Sequence, residues 1–170
     1  MWETIGSNGF EKVDASGECD YNGWVDPDPD NKATLITNTW GNVHSGNCAL
    51  RLMNDESTSM VTSEMFDVTT YDSLKVVFQY KPRRMTGSSE EFYLYISTDN
   101  GDTYALEHTW TNAVTESISN VSEFTNNVYQ EGIVENIDVT DASDVSIRFV
   151  SNGDSKQSRV FLDDVVIEAT

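Results

Sequence analysis

The sequence predicts an all-β fold, an antiparallel β-sandwich of the jelly-roll type, and three observations predict it. Apolar and polar residues alternate in short runs, as they do in strands with one buried face. Clusters of Gly, Asn, Asp and Ser separate these runs, as is typical of sandwiches. Helical periodicity is nearly absent. With 170 residues, the chain is expected to form a single domain, residues 1–170, that buries roughly 70% of its unfolded surface.

The individual strands follow from the alternation. Between two of them, Asn100-Gly101 predicts a hairpin turn, because both residues readily adopt positive φ angles. The polar segment 112–132 is expected to be a long loop or a ragged edge strand. The runs that predict strands are 8–11, 49–52, 74–81, 92–97, 145–150 and 160–167.

Two segments of the chain resemble each other. Phe66-Asp67-Val68-Thr69 precedes the apolar run 74–78, and Ile137-Asp138-Val139-Thr140 precedes the run 145–149 at the same spacing. Each copy predicts a strand, a polar corner and a longer core strand. Because the flanking residues do not match, we interpret the copies as equivalent positions in a jelly roll rather than a tandem repeat.

The charge balance limits the possible partners. The sequence has 29 acidic and 10 basic residues, a net charge of −19. Such a field repels the phosphates of nucleic acids and of anionic membrane surfaces, so neither is an expected partner. No apolar run approaches the roughly 20 residues of a membrane-spanning helix. The acidity fits a solvated surface, or salty surroundings in which repulsion is screened.

The two cysteines favour an oxidising compartment. Cys19 and Cys48 each lie near glycine in a segment expected to be a loop. A disulfide between them would stabilise the fold by roughly 3–4 kcal/mol in the chain-entropy model; two free thiols are the alternative. We expect a secreted or cell-surface location, with the chain being a module taken from a larger protein.

Carboxylates occur among apolar residues in the first and last predicted strands. Glu11 follows Asn8-Gly9-Phe10, and Asp163-Asp164 lies within the final apolar run. A carboxylate in such surroundings needs a partner. If the two strands are neighbours, these side chains form an oxygen cluster suited to Ca²⁺. Alternatively, they accept hydrogen bonds from backbone amides at the strand ends.

These landmarks occur in an order that resembles the calcium-binding jelly-roll domains of secreted proteins. Those families are the MAM domains, the cleaved-adhesin domains of bacterial surface proteases and calcium-containing carbohydrate-binding modules. The resemblance covers nearly the whole chain, through short motifs, and the families share no single ligand surface. The motifs are Phe10-Glu11, Gly23-Trp24, His44-Ser45-Gly46-Asn47-Cys48-Ala49-Leu50, Phe92-Tyr93-Leu94-Tyr95-Ile96-Ser97 and Leu162-Asp163-Asp164-Val165.

The resemblance implies a structural Ca²⁺ as the cofactor. Carried over to this sequence, its side-chain ligands are Glu11 and Asp164, with Asp163 as the alternative carboxylate. Backbone atoms near Asn8, Ser45 and Gly46 complete the implied metal site. Two or three carboxylates with carbonyl oxygens fill the coordination sphere of Ca²⁺, so the site is expected to be structural.

A binding face is predicted from the residues opposite the core in the alternating runs. Aromatic rings can stack on the apolar faces of sugars, and Lys, Arg and Gln can donate to hydroxyls or carboxylates. Positive charge is concentrated at Lys81, Arg83 and Arg84, which favours an anionic polysaccharide. The alternative is that these residues pack beneath a crossing loop or keep the sheet soluble. The candidate ligand-binding residues are Lys75, Gln79, Lys81, Tyr93, Tyr95, Trp110 and Arg148; Trp24 is expected in the core, and Trp40, like Trp110, is expected at a loop edge.

Motifs for catalysis are not found. His44 and His108 lie near no nucleophile motif, and the sequence has neither a Gly-x-Ser-x-Gly elbow nor a His-Glu-x-x-His helix. Asp26-Pro27-Asp28-Pro29-Asp30-Asn31 resembles the start of an EF-hand loop, but its two prolines and lack of glycine at the sixth position favour an acidic loop.

We therefore expect a non-catalytic extracellular binding module, stabilised by Ca²⁺ and monomeric within a multidomain chain. Carbohydrate, as a polysaccharide or a cell-surface glycan, is the expected ligand. The first alternative is an adhesion or spacer domain that contacts protein and has no sugar site. The second is a small carboxylate-dependent hydrolase or lyase, for which no carboxylate pair stands out.

Overall fold

The computed structural model describes residues 1–11, 18–27, 32–38, 41–53, 58–112 and 119–170. The described residues form twelve β-strands and contain no helix that could cross a membrane. The strands are β1 (Glu3–Asn8), β2 (Ala33–Thr37), β3 (Cys48–Met53), β4 (Thr58–Thr62), β5 (Phe66–Asp67), β6 (Ser73–Arg83), β7 (Glu91–Ser97), β8 (Ala105–Thr111), β9 (Val121–Glu123), β10 (Gln130–Asp138), β11 (Asp144–Asn152) and β12 (Arg159–Ala169).

The strands form two sheets that pack face to face. The first sheet has the order β10-β6-β12-β3-β2, and β1 also pairs with β12, beyond the end of β3. The second has the order β4-β11-β7-β8-β9, and β5 also pairs with β11. This arrangement confirms the predicted jelly-roll sandwich. One pair departs from the expected antiparallel pattern: the short edge strand β9 runs parallel to β8.

The inward-facing residues of both sheets form one hydrophobic core. Along β6, Leu74, Val76 and Phe78 are buried while the residues between them are only partly covered. The ring centroids of Phe78 and Phe149, from opposite sheets, are 4.7 Å apart in an edge-to-face arrangement. Trp24 stacks beside Phe149 with a centroid distance of 6.0 Å, which confirms its expected place in the core.

The two similar segments occupy equivalent positions. β5 precedes β6 but pairs with β11, while β10 precedes β11 but pairs with β6. The first strand of each copy therefore pairs with the long strand of the other. The polar corners also match: Asp67 accepts hydrogen bonds from the N–H and hydroxyl of Thr69 at 2.9 and 2.7 Å, and Asp138 accepts the same two from Thr140 at 3.0 and 2.7 Å.

The two ends of the domain and the two cysteines meet as expected. β1 runs antiparallel to β12, with Asn8 opposite Val165. The strand ends at Asn8, so Glu11 follows it instead of lying within it as predicted. Cys19 and Cys48 form a disulfide with a Cα–Cα distance of 5.9 Å. The covalent link joins the segment that follows β1 to the start of β3, which fixes the loops at this end of the sandwich.

Candidate functional site

The predicted ligand-binding residues lie on two opposite faces of the sandwich, so they cannot form one site. Lys75, Gln79 and Lys81 point outward from β6 in the first sheet. Tyr93, Tyr95 and Arg148 point outward from β7 and β11 in the second sheet. The core lies between the two sets. The expectation of a single face is corrected because alternation assigns a side to each residue within a strand, but not the sheet to which the strand belongs.

Trp110 is part of the core and not of a binding surface. Its side chain is only 3% exposed. Its ring packs edge-to-face on Phe78 at 5.3 Å and tilts against Phe92 at 5.6 Å. A buried ring has no free face for a sugar, so Trp110 is removed from the candidate ligand-binding residues. Trp40 and residues 28–31 of the acidic loop lie outside the described residues.

A groove of about 440 Å³ lies on the outer face of the second sheet. The strand register builds it: Arg148 lies opposite Tyr95 on one side and Thr62 on the other, and Val150 lies opposite Met60. Three adjacent strands thus bring an aromatic ring, a cation and apolar side chains to one surface. The residues lining the groove are Thr58, Met60, Tyr95, Asp102, Tyr104, Arg148 and Val150.

Arg148 is held in place inside this groove. Its guanidinium carbon lies 3.5 Å from the centroid of the Tyr104 ring. Its Nε donates a hydrogen bond to Oγ1 of Thr62 at 3.0 Å. The Tyr104 hydroxyl in turn donates to Oγ of Ser146 at 3.0 Å. Because one edge of the guanidinium is held by Nε, the terminal N–H groups have a defined direction and can donate to a ligand.

Tyr104 and Asp102 were not among the residues predicted from the sequence. They follow the Asn100-Gly101 turn, in which both residues have positive φ angles of 60° and 85°. The turn itself was predicted, and it implies that the next residues return alongside the preceding strand. The sequence therefore contained a signal for Tyr104, but nothing that marked its ring as the partner of Arg148.

Tyr93 and Tyr95 do not form the flat platform that would stack on a sugar as one surface. Their ring centroids are 5.9 Å apart and the rings are tilted by 52°. The Tyr93 hydroxyl donates to the carboxylate of Glu91. Burial, together with this carboxylate, raises the pKa of Tyr93 above its usual range. Tyr95 lines the groove, whereas Tyr93 lies beside it.

The three predicted residues on the outer face of the first sheet contact other residues of the protein. Lys75 forms an ion pair with Glu168, and Gln79 Nε2 lies 3.5 Å from a carboxylate oxygen of Glu131. Lys81 is only 7% exposed and donates to the backbone carbonyl of Gly41. Burial and the charge of Arg83 lower the pKa of Lys81. At Lys81 the structure follows the alternative prediction, a cation packed beneath a crossing segment.

Glu11 binds backbone amides at the start of β3. Its carboxylate accepts hydrogen bonds from the N–H groups of Asn47 at 2.9 Å and Cys48 at 2.8 Å. Gly46 allows this approach: a Cβ there would lie 2.3 Å from the carboxylate carbon, and its φ is +60°. Asn8 shapes the turn that precedes Glu11, because its side-chain oxygen accepts the Phe10 N–H at 2.8 Å.

Asp163 and Asp164 converge on the same segment from β12. Asp163 accepts the N–H groups of His44 at 2.9 Å and Ser45 at 3.2 Å. Oδ1 of Asp164 accepts the hydroxyl of Ser45, and its Oδ2 contacts Nδ1 of His44, both at 2.7 Å. Asp163 is fully buried, and this burial raises its pKa to about 6 against the hydrogen bonds that lower it.

These three carboxylates gather at segment 44–48, as the pairing of the first and last strands predicts, and each accepts N–H or O–H donors. Within the part of the chain that the structure describes, no group of three or more His, Cys, Asp or Glu side chains has the geometry of a metal site. Amide and hydroxyl groups therefore serve as the hydrogen-bond donors to these carboxylates. Ca²⁺ at this position stays a prediction.

Comparison with known proteins identifies the fold. No family model and no curated protein matches the sequence. The chain is similar to the third cleaved-adhesin domain of the Lys-gingipain of Porphyromonas gingivalis, with 16% identity, a TM-score of 0.65 and full coverage of both chains.

Two carbohydrate-binding modules are also similar in structure. One is a family 61 module in complex with β-1,4-galactotriose, with 15% identity, 88% of this chain and 90% of that one covered, and a TM-score of 0.58. The other is the C-terminal family 22 module of the Clostridium thermocellum xylanase 10B, studied for the role of its cleft in ligand binding, with 13% identity, coverage of 98% and 94%, and a TM-score of 0.63. At these identities the similarity shows the fold alone, a jelly-roll β-sandwich.

Proposed function

We propose that this chain is a non-catalytic, extracellular carbohydrate-binding module whose sugar site is the groove on the second sheet. One observation carries the proposal: the Arg148 guanidinium lies on the Tyr104 ring, and Arg148 is the cross-strand neighbour of Tyr95 on the same face. This places aromatic surface and fixed N–H donors in a single open groove. Those are the two features that recognise a sugar, which has apolar C–H faces and a rim of hydroxyls.

The size and charge of the groove agree with a sugar ligand. Its volume of about 440 Å³ lies within the ~300–1,000 Å³ that is common for ligand sites. Asp102 and Thr58 also line the groove and can accept hydrogen bonds. Because one cation and one carboxylate line the groove, it suits a neutral sugar chain. The solved structures of similar fold include a module with a bound galactotriose, which supports the same class of ligand.

The extracellular location and the absence of catalysis are parts of this proposal. The Cys19–Cys48 disulfide is a bond that persists in oxidising compartments. The similar structures are binding modules and an adhesin domain. A preference for an anionic polysaccharide would be a more specific property than carbohydrate binding, and the groove itself gives little support for it. Any such preference depends on basic residues of the other sheet.

We also propose a structural Ca²⁺ at the loop end of the sandwich. Glu11 and Asp164, with Asp163 as the alternative, would hold it together with backbone oxygens near Asn8, Ser45 and Gly46. The ion would neutralise carboxylates that lie close together, one of them fully buried. It would stabilise the loops and take no part in sugar binding.

An adhesion domain that contacts protein is the second candidate, and a specific surface favours it. On the outer face of the first sheet, Ile133, Val77 and Val166 are cross-strand neighbours. Ile133 is 50% exposed, so the three form a short apolar stripe. The similarity to an adhesin domain over both full lengths points the same way.

Binding to soluble polysaccharides tests the first candidate against the second. We would measure retardation in affinity gels that contain galactan, xylan, β-glucan or mannan, for the parent chain and for Tyr95→Ala and Tyr104→Ala. At least one polymer should retard the parent, and each tyrosine variant should lose most of that retardation. Ile133→Ala is the control on the opposite sheet, and it should behave as the parent. The proposal fails if none of the polymers retards the parent, or if the tyrosine variants are retarded equally.

A further inference from the structure

Four of the five arginines of this acidic chain lie in one place. Arg83 is directly opposite Arg159 in the pairing of β6 with β12. Arg51 lies on the next strand, β3, opposite Phe161 and so diagonal to Arg159. Arg84 follows β6 and is exposed. We call Arg51, Arg83, Arg84 and Arg159 the arginine cluster. It lies at one end of the first sheet, on the side of the sandwich away from the sugar groove.

The placement of Arg83 opposite Arg159 destabilises the sheet. Like charges directly opposite each other on neighbouring strands destabilise a sheet. Burial, and then the charges of Arg51, Arg83 and Arg84, lower the pKa of Arg159. The same two strands show the stabilising arrangement at their other end, where Lys75 lies opposite Glu168 and forms an ion pair with it. A chain with 29 acidic residues thus carries two facing arginines where a carboxylate would stabilise.

Among the described residues, two of these guanidinium groups each donate one hydrogen bond, from Nε. Nε of Arg51 donates to Thr34 Oγ1, and Nε of Arg159 donates to the carbonyl of Gln157, both at 3.1 Å. The ion pairs among the described residues involve His44 and Lys75, and none of the four arginines. A depression of about 270 Å³ adjoins the cluster, lined by Gly41, Asn42, Lys81, Arg83 and Asn127.

We propose that the arginine cluster binds an acidic polysaccharide through its carboxylate or sulfate groups. Guanidinium groups bind such oxyanions with two parallel hydrogen bonds, and this planar fork is available when the anion comes from outside the chain. The cluster spans three neighbouring strands, about 10 Å across, so it can contact more than one anionic group of a polymer. The inference goes beyond the sugar groove and holds whether or not that groove binds a neutral chain.

The strength of this binding should depend on salt. The net charge of −19 repels a polyanion at long range, so attraction acts only near the cluster. Salt at about 100 mM shortens the Debye length to about 10 Å, from about 30 Å at 10 mM. This range of salt screens the long-range repulsion, so binding should weaken only at higher salt, at about 1 M, where a Debye length of about 3 Å also screens the contacts at the arginines.

The test compares two single charge removals on the same strand pair. Affinity for polygalacturonate, which carries carboxylates, and for dextran sulfate would be measured by calorimetry with the parent chain, Arg159→Gln and Lys75→Gln. Lys75 is the matched control, because it lies eight residues from Arg83 along β6, about 26 Å, and is engaged by Glu168. Arg159→Gln should weaken binding about tenfold, and Lys75→Gln should leave it unchanged.

Two further measurements separate binding from folding and from general attraction. Because Arg159→Gln relieves repulsion, its melting temperature should equal or exceed that of the parent. Polyglutamate, an anion without sugar, should bind more weakly than the polysaccharides. Binding of only one polysaccharide supports the proposal and identifies its anionic group. The proposal is overturned if neither polysaccharide binds, if both variants weaken binding equally, or if polyglutamate binds as tightly.

Discussion

The guanidinium of Arg148 lies over the ring of Tyr104, with its central carbon 3.5 Å from the ring centroid. The two residues come from β11 and from the turn before β8, which are not neighbours in the sheet. The stack therefore extends over β7 and covers part of the surface next to Tyr95. It ties the hairpin to the centre of the second sheet, and it gives the groove its only cation among the described residues.

Replacing Arg148 with Lys should weaken this groove although the charge is kept. An ammonium group cannot stack as a plane or donate through a fixed fork. We expect the free energy of unfolding to fall by about 1 kcal/mol, the scale of one cation–π contact, with a clear loss of sugar retardation. Urea unfolding and affinity gels measure the two effects. Unchanged values for both would show that the stack has no role in stability or binding.

Breaking the disulfide should cost more than any single surface substitution. Cys19 and Cys48 are 29 residues apart in sequence. A disulfide that closes a loop of that length stabilises the folded state by roughly 3–4 kcal/mol in the chain-entropy model. Denaturant unfolding with and without a reducing agent measures the difference. The double variant Cys19→Ala/Cys48→Ala serves as the control, since a reducing agent should have no effect on it. A difference under about 1 kcal/mol would contradict the model.

Removing divalent ions should lower the melting temperature if Ca²⁺ occupies the loop end of the sandwich. Thermal unfolding would be followed with EDTA, and then after addition of Ca²⁺ or Mg²⁺. Ca²⁺ should restore the melting temperature better than Mg²⁺, which accepts irregular oxygen sites poorly. The variants Glu11→Gln and Asp164→Asn should have lower melting temperatures than the parent, and EDTA should not change them. If EDTA has no effect on the parent while Glu11→Gln still lowers the melting temperature, Glu11 stabilises the fold through its backbone amide partners and not through a metal ion.

His108 should make stability depend on pH between about 5 and 7. Burial lowers its pKa below the ordinary value of 6.5, and its Nε2 lies 2.9 Å from the Ser122 hydroxyl. The unfolded chain then binds a proton more readily than the folded one, so this contribution is present above pH 6.5 and is lost as the pH falls through the lowered pKa.

The variant His108→Gln isolates that contribution. The stability of the parent relative to the variant should shrink as the pH decreases from 7 to 5, and NMR should show the His108 ring titrating below 6.5. A constant difference across this range would contradict the assignment.

Local rules explain why so much of the fold could be predicted. The alternation along β6 identified which side chains are buried, because side chains in a strand alternate between two faces. The Asn100-Gly101 turn, the equivalent Asp67 and Asp138 corners and the meeting of β1 with β12 all follow from short motifs or from placing carboxylates among apolar residues. The structure bears out each of them.

The sites required information that no local pattern contains. Alternation cannot say which sheet a strand joins, and so Lys75 and Tyr95 were grouped although the core separates them. It also gave no warning that Trp110 points inward. Arg83 and Arg159 become neighbours through one pairing between β6 and β12, and Tyr104 reaches Arg148 across a third strand.

The fold class, and the outward-facing side of the strands with clear alternation, can be read from the amino-acid sequence; the disulfide and the meeting of the first and last strands were expectations with stated alternatives. Which outward-facing residues share a surface is known only from the folded chain. The physical reason is that pairing between distant strands is set by how all the buried faces fit into one core, and this fit is a property of the whole chain.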